Sequence, residues 1–323
     1  MYDFVAIGDT VVDAFIKLIN ASVDKEREHL TLAFGDKIPY QSVEEIFAVG
    51  NSANASVVAS RLGLKTALVT YLGDDDNGKK CLAKLEEEKV SAEFVSIEQG
   101  KQTNYHFVLW YEDDRTILVK HEEYKRTLLG IGRPKWLYLS SLGGDTMIYH
   151  SEIIEFLKNN TETNLAFQPG TFQISLGEKL GDIYKRTKIF FCNVEEAEEI
   201  LHIDTLGTKE LLKRMKALGP EIVVITDGPK GAYAYDGVNF YNQPPYPDPK
   251  PPFERTGAGD AFSSTVVASL ALGNNLPIAL KWGAINSMSV VQEVGAQKGL
   301  LNRSKLEEYL KNAPDGFNNG VLV

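Results

Sequence analysis

Cysteine is nearly missing from this chain: Cys81 and Cys192 are the only two in 323 residues. Two cysteines build no framework of bridges, and they point to a reducing cytosol. No apolar run is long enough to span a bilayer, and Met1-Tyr2-Asp3-Phe4 lacks the basic start and apolar core of a signal peptide. Cytoplasmic placement is the expectation. Positive charge is in deficit as well. Lys and Arg number 34 against 44 Asp and Glu, a formal net charge of −10. That balance disfavours nucleic acids and anionic membranes as partners, because their phosphates would be repelled. It leaves room for a nucleotide, whose phosphates local amides and a metal can hold. No G-x-x-x-x-G-K-[ST] run occurs, which excludes a P-loop. The five histidines (His29, His106, His121, His150, His202) show no metal-ligand spacing, so none is assigned a ligand role.

What remains is ordinary globular material, 43% hydrophobic and 24% charged, sized for one α/β domain with a small accessory unit. Tyr2 to Gly8 reads as a buried opening strand. From Trp136 onward strand and helix patterns alternate through Asn164–Phe167, Lys188–Phe191, Val194–Leu201, Glu210–Leu218 and Ile222–Thr226. Alternation of this kind predicts a doubly wound, mostly parallel sheet flanked by helices on both faces. Ala14–Asn20, a short strand near Thr31–Phe34, and a hairpin of Tyr105–Tyr111 and Thr116–His121 turning at Glu112-Asp113-Asp114-Arg115 interrupt that order. They predict a small projecting β-sheet lid, inserted at about 14–47 and 103–121 of a single domain covering 1–323. Pro244 to Pro252 is a stiff, extended connector.

The most informative stretch is Thr256-Gly257-Ala258-Gly259-Asp260-Ala261-Phe262. Its small residues allow a tight bend, and a helix of small residues follows. Unpaired amides at a helix start favour phosphate-like charge. A carboxylate beside such an anion hole suits a base that deprotonates a hydroxyl as it attacks phosphorus. The helix start is expected to lower the Asp260 pKa. A dinucleotide-binding fingerprint fits poorly, because its third glycine position is Phe262.

Weaker elements lie at other strand ends. Asp9 and Asp13 follow the first strand, where open α/β sheets bind ligands, and carboxylates suit a polyol. Gly50, Asn51 and Asn54 open a helix, the two asparagines on one face. Asn193-Val194-Glu195-Glu196 and Thr226-Asp227-Gly228-Pro229-Lys230-Gly231 also sit at strand ends. Tyr105 and Phe107 on the hairpin are candidates for stacking on a base or sugar. Asp74-Asp75-Asp76-Asn77-Gly78 reads as a solvated turn capping a helix, since the calcium-loop positions fail.

In this order the elements resemble the ribokinase/PfkB family of carbohydrate and nucleoside kinases, over about Tyr2 to Leu310. Thr256 to Phe262 matches that family's C-terminal signature, and Asn54, Ala59, Leu62, Gly63, Gly73, Asp74 and Gly78 match its N-terminal one. The resemblance implies a ribokinase-like fold and an ATP-dependent, Mg²⁺-requiring kinase. Asp260 would be the base, and Gly257, Ala258 and Gly259 the anion hole. Asn193 and Glu196 would organise Mg²⁺ mostly through water. Thr226, Gly228, Gly231, Thr256 and Asn286 would serve the nucleotide, and Asp13, Gly50 and Asn54 the acceptor. The lid would also form a homodimer contact. A sugar or sugar acid is the expected acceptor, with a nucleoside kinase or a catalytically silent sensor as alternatives.

Three departures from the family pattern stand out. Val49 replaces the first of two usual glycines, Glu254 an aspartate, and Arg255 the commoner Thr or Asn. A monovalent-cation site known in some relatives is therefore not carried over. Arg255 is expected to place positive charge near the transferred phosphate.

Overall fold

The computed structural model describes residues 1–26, 28–112, 114–144, 146–203 and 206–317. Asp113, in the expected hairpin turn, lies outside the described residues. Strand β1 (Phe4–Ile7) is buried along its whole length. Its period of two sends Phe4 and Ala6 to one apolar core, and Val5 and Ile7 to another. A strand covered on both faces reads as a continuous apolar run, which the sequence has.

Along the chain follow β2 (Val11–Leu18), β3 (Ser22–Val23), β4 (Leu30–Thr31), β5 (Tyr40–Val49), α1 (Asn51–Arg61), β6 (Thr66–Gly73), α2 (Asp76–Glu87) and β7 (Val95–Glu98). Next come β8 (Asn104–Tyr111), β9 (Asp114–Leu118), β10 (Trp136–Leu139), α3 (Met147–Asn159), β11 (Asn164–Phe167), α4 (Thr171–Ile174), α5 (Gly181–Arg186) and β12 (Thr187–Asn193). The chain continues through α6 (Val194–Leu201), α7 (Thr208–Ala217), β13 (Ile222–Thr226), β14 (Ala232–Tyr235), β15 (Phe240–Gln243), α8 (Ala258–Ala271), α9 (Leu276–Val290) and α10 (Arg303–Lys311).

The large sheet has the order β15-β14-β13-β12-β11-β10-β1-β6-β7. Pairing is parallel from β13 to β7, and antiparallel only between β13 and β14 and between β14 and β15. Helices α1, α2, α8 and α9 feed one core and α3, α5, α6 and α7 the other, so both faces are covered. The doubly wound expectation holds.

A separate four-stranded sheet runs β5-β2-β8-β9. It starts at Val11, slightly before the expected residue 14, and β5 extends to Val49. Strands β2 and β8 pair in parallel, with Asp13 opposite His106 and Ala14 opposite Phe107. Phe15, Val108 and Trp110 therefore share one face, and they pack on Val294 of the main body. The acidic turn before α2 behaves as expected: Asp75 caps the helix by accepting from Gly78 N at 2.9 Å.

Candidate active site

The parallel strands β1, β10, β11, β12 and β13 end along one edge of the large sheet, where α8 begins. Gly257 caps α8 at φ 82°, a conformation that glycine adopts without strain. A methyl group there would lie 2.4 Å from Ala296 Cβ, so the close approach also demands glycine. Ala258 N makes only a long bond of 3.4 Å to Arg255 O. Gly259 and Asp260 stand in the first turn, where backbone N–H groups have no intrahelical acceptor. The amides are thus aimed outward at the head of a buried helix.

Asp260 points into the cleft and is gripped from two sides. Asn54 Nδ2 donates to its Oδ2 at 2.8 Å, and Gln168 Nε2 to its Oδ1 at 3.2 Å. Asn54 cannot turn over, because its own carbonyl oxygen accepts from Gln297 Nε2 at 3.0 Å. Gln168 is oriented likewise, since its Oε1 accepts from Ser263 Oγ at 2.9 Å. The sequence expectation of a lowered pKa is corrected. Burial pushes the Asp260 carboxyl up; the Asn54 and Gln168 hydrogen bonds oppose this, and the charge of Asp13 adds to it. A raised pKa makes it a better base.

Two cavities meet at this point. One, of about 560 Å³, is lined by Asp13, Gly50, Asn51, Asn54, His106, Arg115, His121, Gln168, Glu196 and Thr256 to Asp260. The other, of about 520 Å³, is lined by Thr226, Gly228, Gly231, the 244–248 loop, Ala284, Ser287, Met288 and Val291. Both reach Arg255, Ala258 and Gly259, so the α8 amides are their common wall. The exposed Arg255 borders each of them.

Most expected residues gather here, with four corrections. Asn286 is fully buried: its Nδ2 donates to Thr265 Oγ1 and its Oδ1 accepts from Leu301 N. Ser287, one residue on, faces the second cavity instead. Tyr105 and Phe107 do not line the cleft, because alternation along β8 presents His106 there. The Tyr105 hydroxyl donates to Glu45, and Phe107 stands on the lid's outer surface. Asp9 reaches the wall, but its oxygens already accept from Arg126 Nη2 at 2.9 and 3.0 Å and from Gly143 N at 2.7 Å. It anchors the strap 119–135. Asp13, by contrast, keeps Oδ1 without a hydrogen-bond donor among the described residues, with His106 Nδ1 3.4 Å away.

Gln168, Arg126, His106, His121 and Gln297 were missed by sequence reasoning. Only the strand-end position of Gln168, directly after β11, carried a signal. Asn193 and Glu196 form a reciprocal cap at the head of α6, at 2.7 and 2.8 Å. Burial and the nearby Asp260 raise the Glu196 pKa against the Asn193 N–H that it accepts. No group of three or more His, Cys, Asp or Glu able to hold a metal exists among the described residues.

The model of the pfkB family carbohydrate kinases matches residues 5–303. The chain belongs to that family. Within it, fructoselysine 6-kinase of Escherichia coli is 24% identical over 258 residues, covering 80% of this chain and 94% of that one. Ribokinase of Bacillus subtilis is 26% identical over 269 residues, covering 81% and 87%. Arabidopsis thaliana ribokinase, solved with ribose and ATP, shares the fold at a TM-score of 0.77 and 18% identity, over 96% of this chain and 99% of that one. The chain is accordingly a carbohydrate kinase, a phosphotransferase with an alcohol acceptor.

Proposed function

We propose that this kinase moves the γ-phosphate of ATP to a hydroxyl of a small sugar or sugar acid, with Asp260 as the base. One observation carries the reading: two cavities share the α8 amides, and Asp260 lies on the side away from the Thr226–Gly231 turn. Adenine and ribose fit the cavity bounded by Gly228, Gly231, Tyr246 and Met288. The γ-phosphate then reaches the amides of Gly257 to Gly259, and an acceptor hydroxyl lies between it and Asp260. Alignment, neutralised charge and exclusion of water supply most of the rate in such a transfer.

The acceptor cavity favours a sugar. Asp13, Asn51, His106 and His121 offer hydrogen-bonding partners, whereas Tyr105 and Phe107 are turned away and Phe172 is the aromatic ring left on its wall. Mg²⁺ fits the site through the nucleotide: Glu196 uses Oε2 on Asn193 N and lines the same cavity as Asp260, able to take a metal-bound water. The metal would neutralise phosphate charge there. The same reading takes 1–323 as one domain with an inserted lid, working in the cytosol where ATP and Mg²⁺ are supplied. It includes a homodimer through the lid's outer face, supported by Val43, Phe107 and Leu118 at 53%, 46% and 51% exposure.

The test is ADP release with Mg-ATP and a panel of D-ribose, D-fructose, fructoselysine, a 2-keto sugar acid and adenosine. Release that depends on a sugar or sugar acid is expected. Release with adenosine alone makes it a nucleoside kinase. No release with any acceptor, alongside a melting temperature raised by Mg-ATP, makes it a sensor.

A further inference from the structure

Two acid–arginine dipeptides face each other across the mouth of the acceptor cavity. Asp114-Arg115 opens β9 on the lid, and Glu254-Arg255 precedes the α8 bend. Arg115 Nε lies 3.8 Å from Glu254 Oε1. Glu254 is fully buried, and both its Oε2 and Arg115 Nε are without a hydrogen-bond partner among the described residues. The other diagonal is electrostatic as well. Burial works to raise the Asp114 carboxyl, and the Arg115 hydrogen bonds with the Arg115 and Arg255 charges outweigh it.

Glu254 ties this contact to the anion hole. Its Oε1 accepts from Thr256 N at 2.8 Å and from Thr256 Oγ1 at 2.6 Å, one residue before Gly257. Beside it the lid rests on the same loop through rings, Trp110 on Phe253 with centroids 5.2 Å apart. Lys17 lies 4.3 Å over the Trp110 ring. A buried carboxylate requires a countercharge, and here a cation within 4 Å sits on an element of the lid.

We propose that Arg115 is a positioning residue that couples lid docking to assembly of the anion hole. When the lid docks, its guanidinium settles against Glu254, and Glu254 fixes Thr256 and the bend at Gly257. With the lid away, Glu254 is buried without that charge and its hold on Thr256 loosens. The anion hole then forms only over an enclosed acceptor, which keeps water from taking the phosphate. This rests on the kinase reading above.

The test compares full-length wild type, Arg115→Ala and Arg115→Lys with Mg-ATP and D-fructose, or whichever panel sugar turns over fastest. Arg115→Ala should lose tenfold or more in kcat with the KM for ATP within about twofold. Arg115→Lys should recover a good part of that loss, since it restores charge without the planar fork. The melting temperature of Arg115→Ala should fall only modestly, because Glu254 keeps its hydrogen bonds from Thr256 N and Thr256 Oγ1. Unchanged kcat in Arg115→Ala overturns the proposal, as does a loss that lysine does not relieve or that comes with a collapsed melting temperature. A wild type silent with every acceptor sinks the kinase reading instead, and this one with it.

Discussion

Asn54 Nδ2 donates to Asp260 Oδ2 at 2.8 Å, joining the heads of α1 and α8 across 206 residues of sequence. Because Gln297 occupies the Asn54 carbonyl, the amide can only donate to the carboxylate. The head of one helix therefore sets both the direction and the charge of the side chain on the other.

Removing that donor should move the acid limb of the kcat–pH profile. A hydrogen bond to a charged group is worth about 1.5–3 kcal/mol. Asn54→Ala strips it from the ionised form alone, so the limb should shift upward by about one to two pH units. Steady-state rates from pH 5 to 9 check this, and an unmoved limb contradicts it.

Stability should respond in the opposite direction to activity. The folded Asp260 pKa is raised above its ordinary 3.8, so the folded state binds more protons between the two values. Stability contributed by this group is therefore lost as pH rises through that window. The melting temperature of wild type, taken relative to Asp260→Asn at the same pH, should fall as pH rises to about 7.5. Below pH about 3, where aspartate is neutral in both states, the difference should no longer change with pH. Scanning calorimetry at the two pH values decides it.

The two glycines at the head of α8 should fail in different ways. Gly257→Ala meets Ala296 and a positive φ, so it should destabilise the protein by about 1–3 kcal/mol. Gly259 has nothing within 4 Å of an added methyl group. Gly259→Ala should fold as well as wild type, yet lose roughly 100-fold in kcat/KM for ATP, because its methyl group pushes the phosphate away from amides that are still present. Thermal melts and initial rates separate the two.

Glu196→Gln keeps the acceptor oxygen for Asn193 N and removes the charge. The Mg²⁺ concentration giving half-maximal rate should rise several-fold while the melting temperature stays or increases, since burial disfavours that charge. A magnesium titration of both proteins is the check.

Legibility in the sequence followed the range of the interactions involved. The bend at Gly257 and the helix after it are local, and so are the cap at Asn193–Glu196 and the strand ends at Gly8 and Thr226. These could be read. Tyr105 and Phe107 were read on the wrong face because β8 pairs with β2, and nothing local reveals that Asp13 sits opposite His106. A one-residue error in parity moved two aromatics from the cleft to the surface. The same error occurs on α9, where Asn286 faces Thr265 in the core and Ser287 faces the cavity. The rise in the Asp260 pKa was invisible for another reason. The helix start was local, but the burial that outweighs it comes from the whole fold.

The most direct measurement is a single-turnover experiment on Asp260→Asn, with Mg-ATP binding followed by calorimetry on the same protein. Asp260 acting as the base predicts ATP affinity within a few-fold of wild type and phosphosugar formation slowed by at least a thousandfold. Phosphoryl transfer within tenfold of wild type, at unchanged ATP affinity, would contradict it.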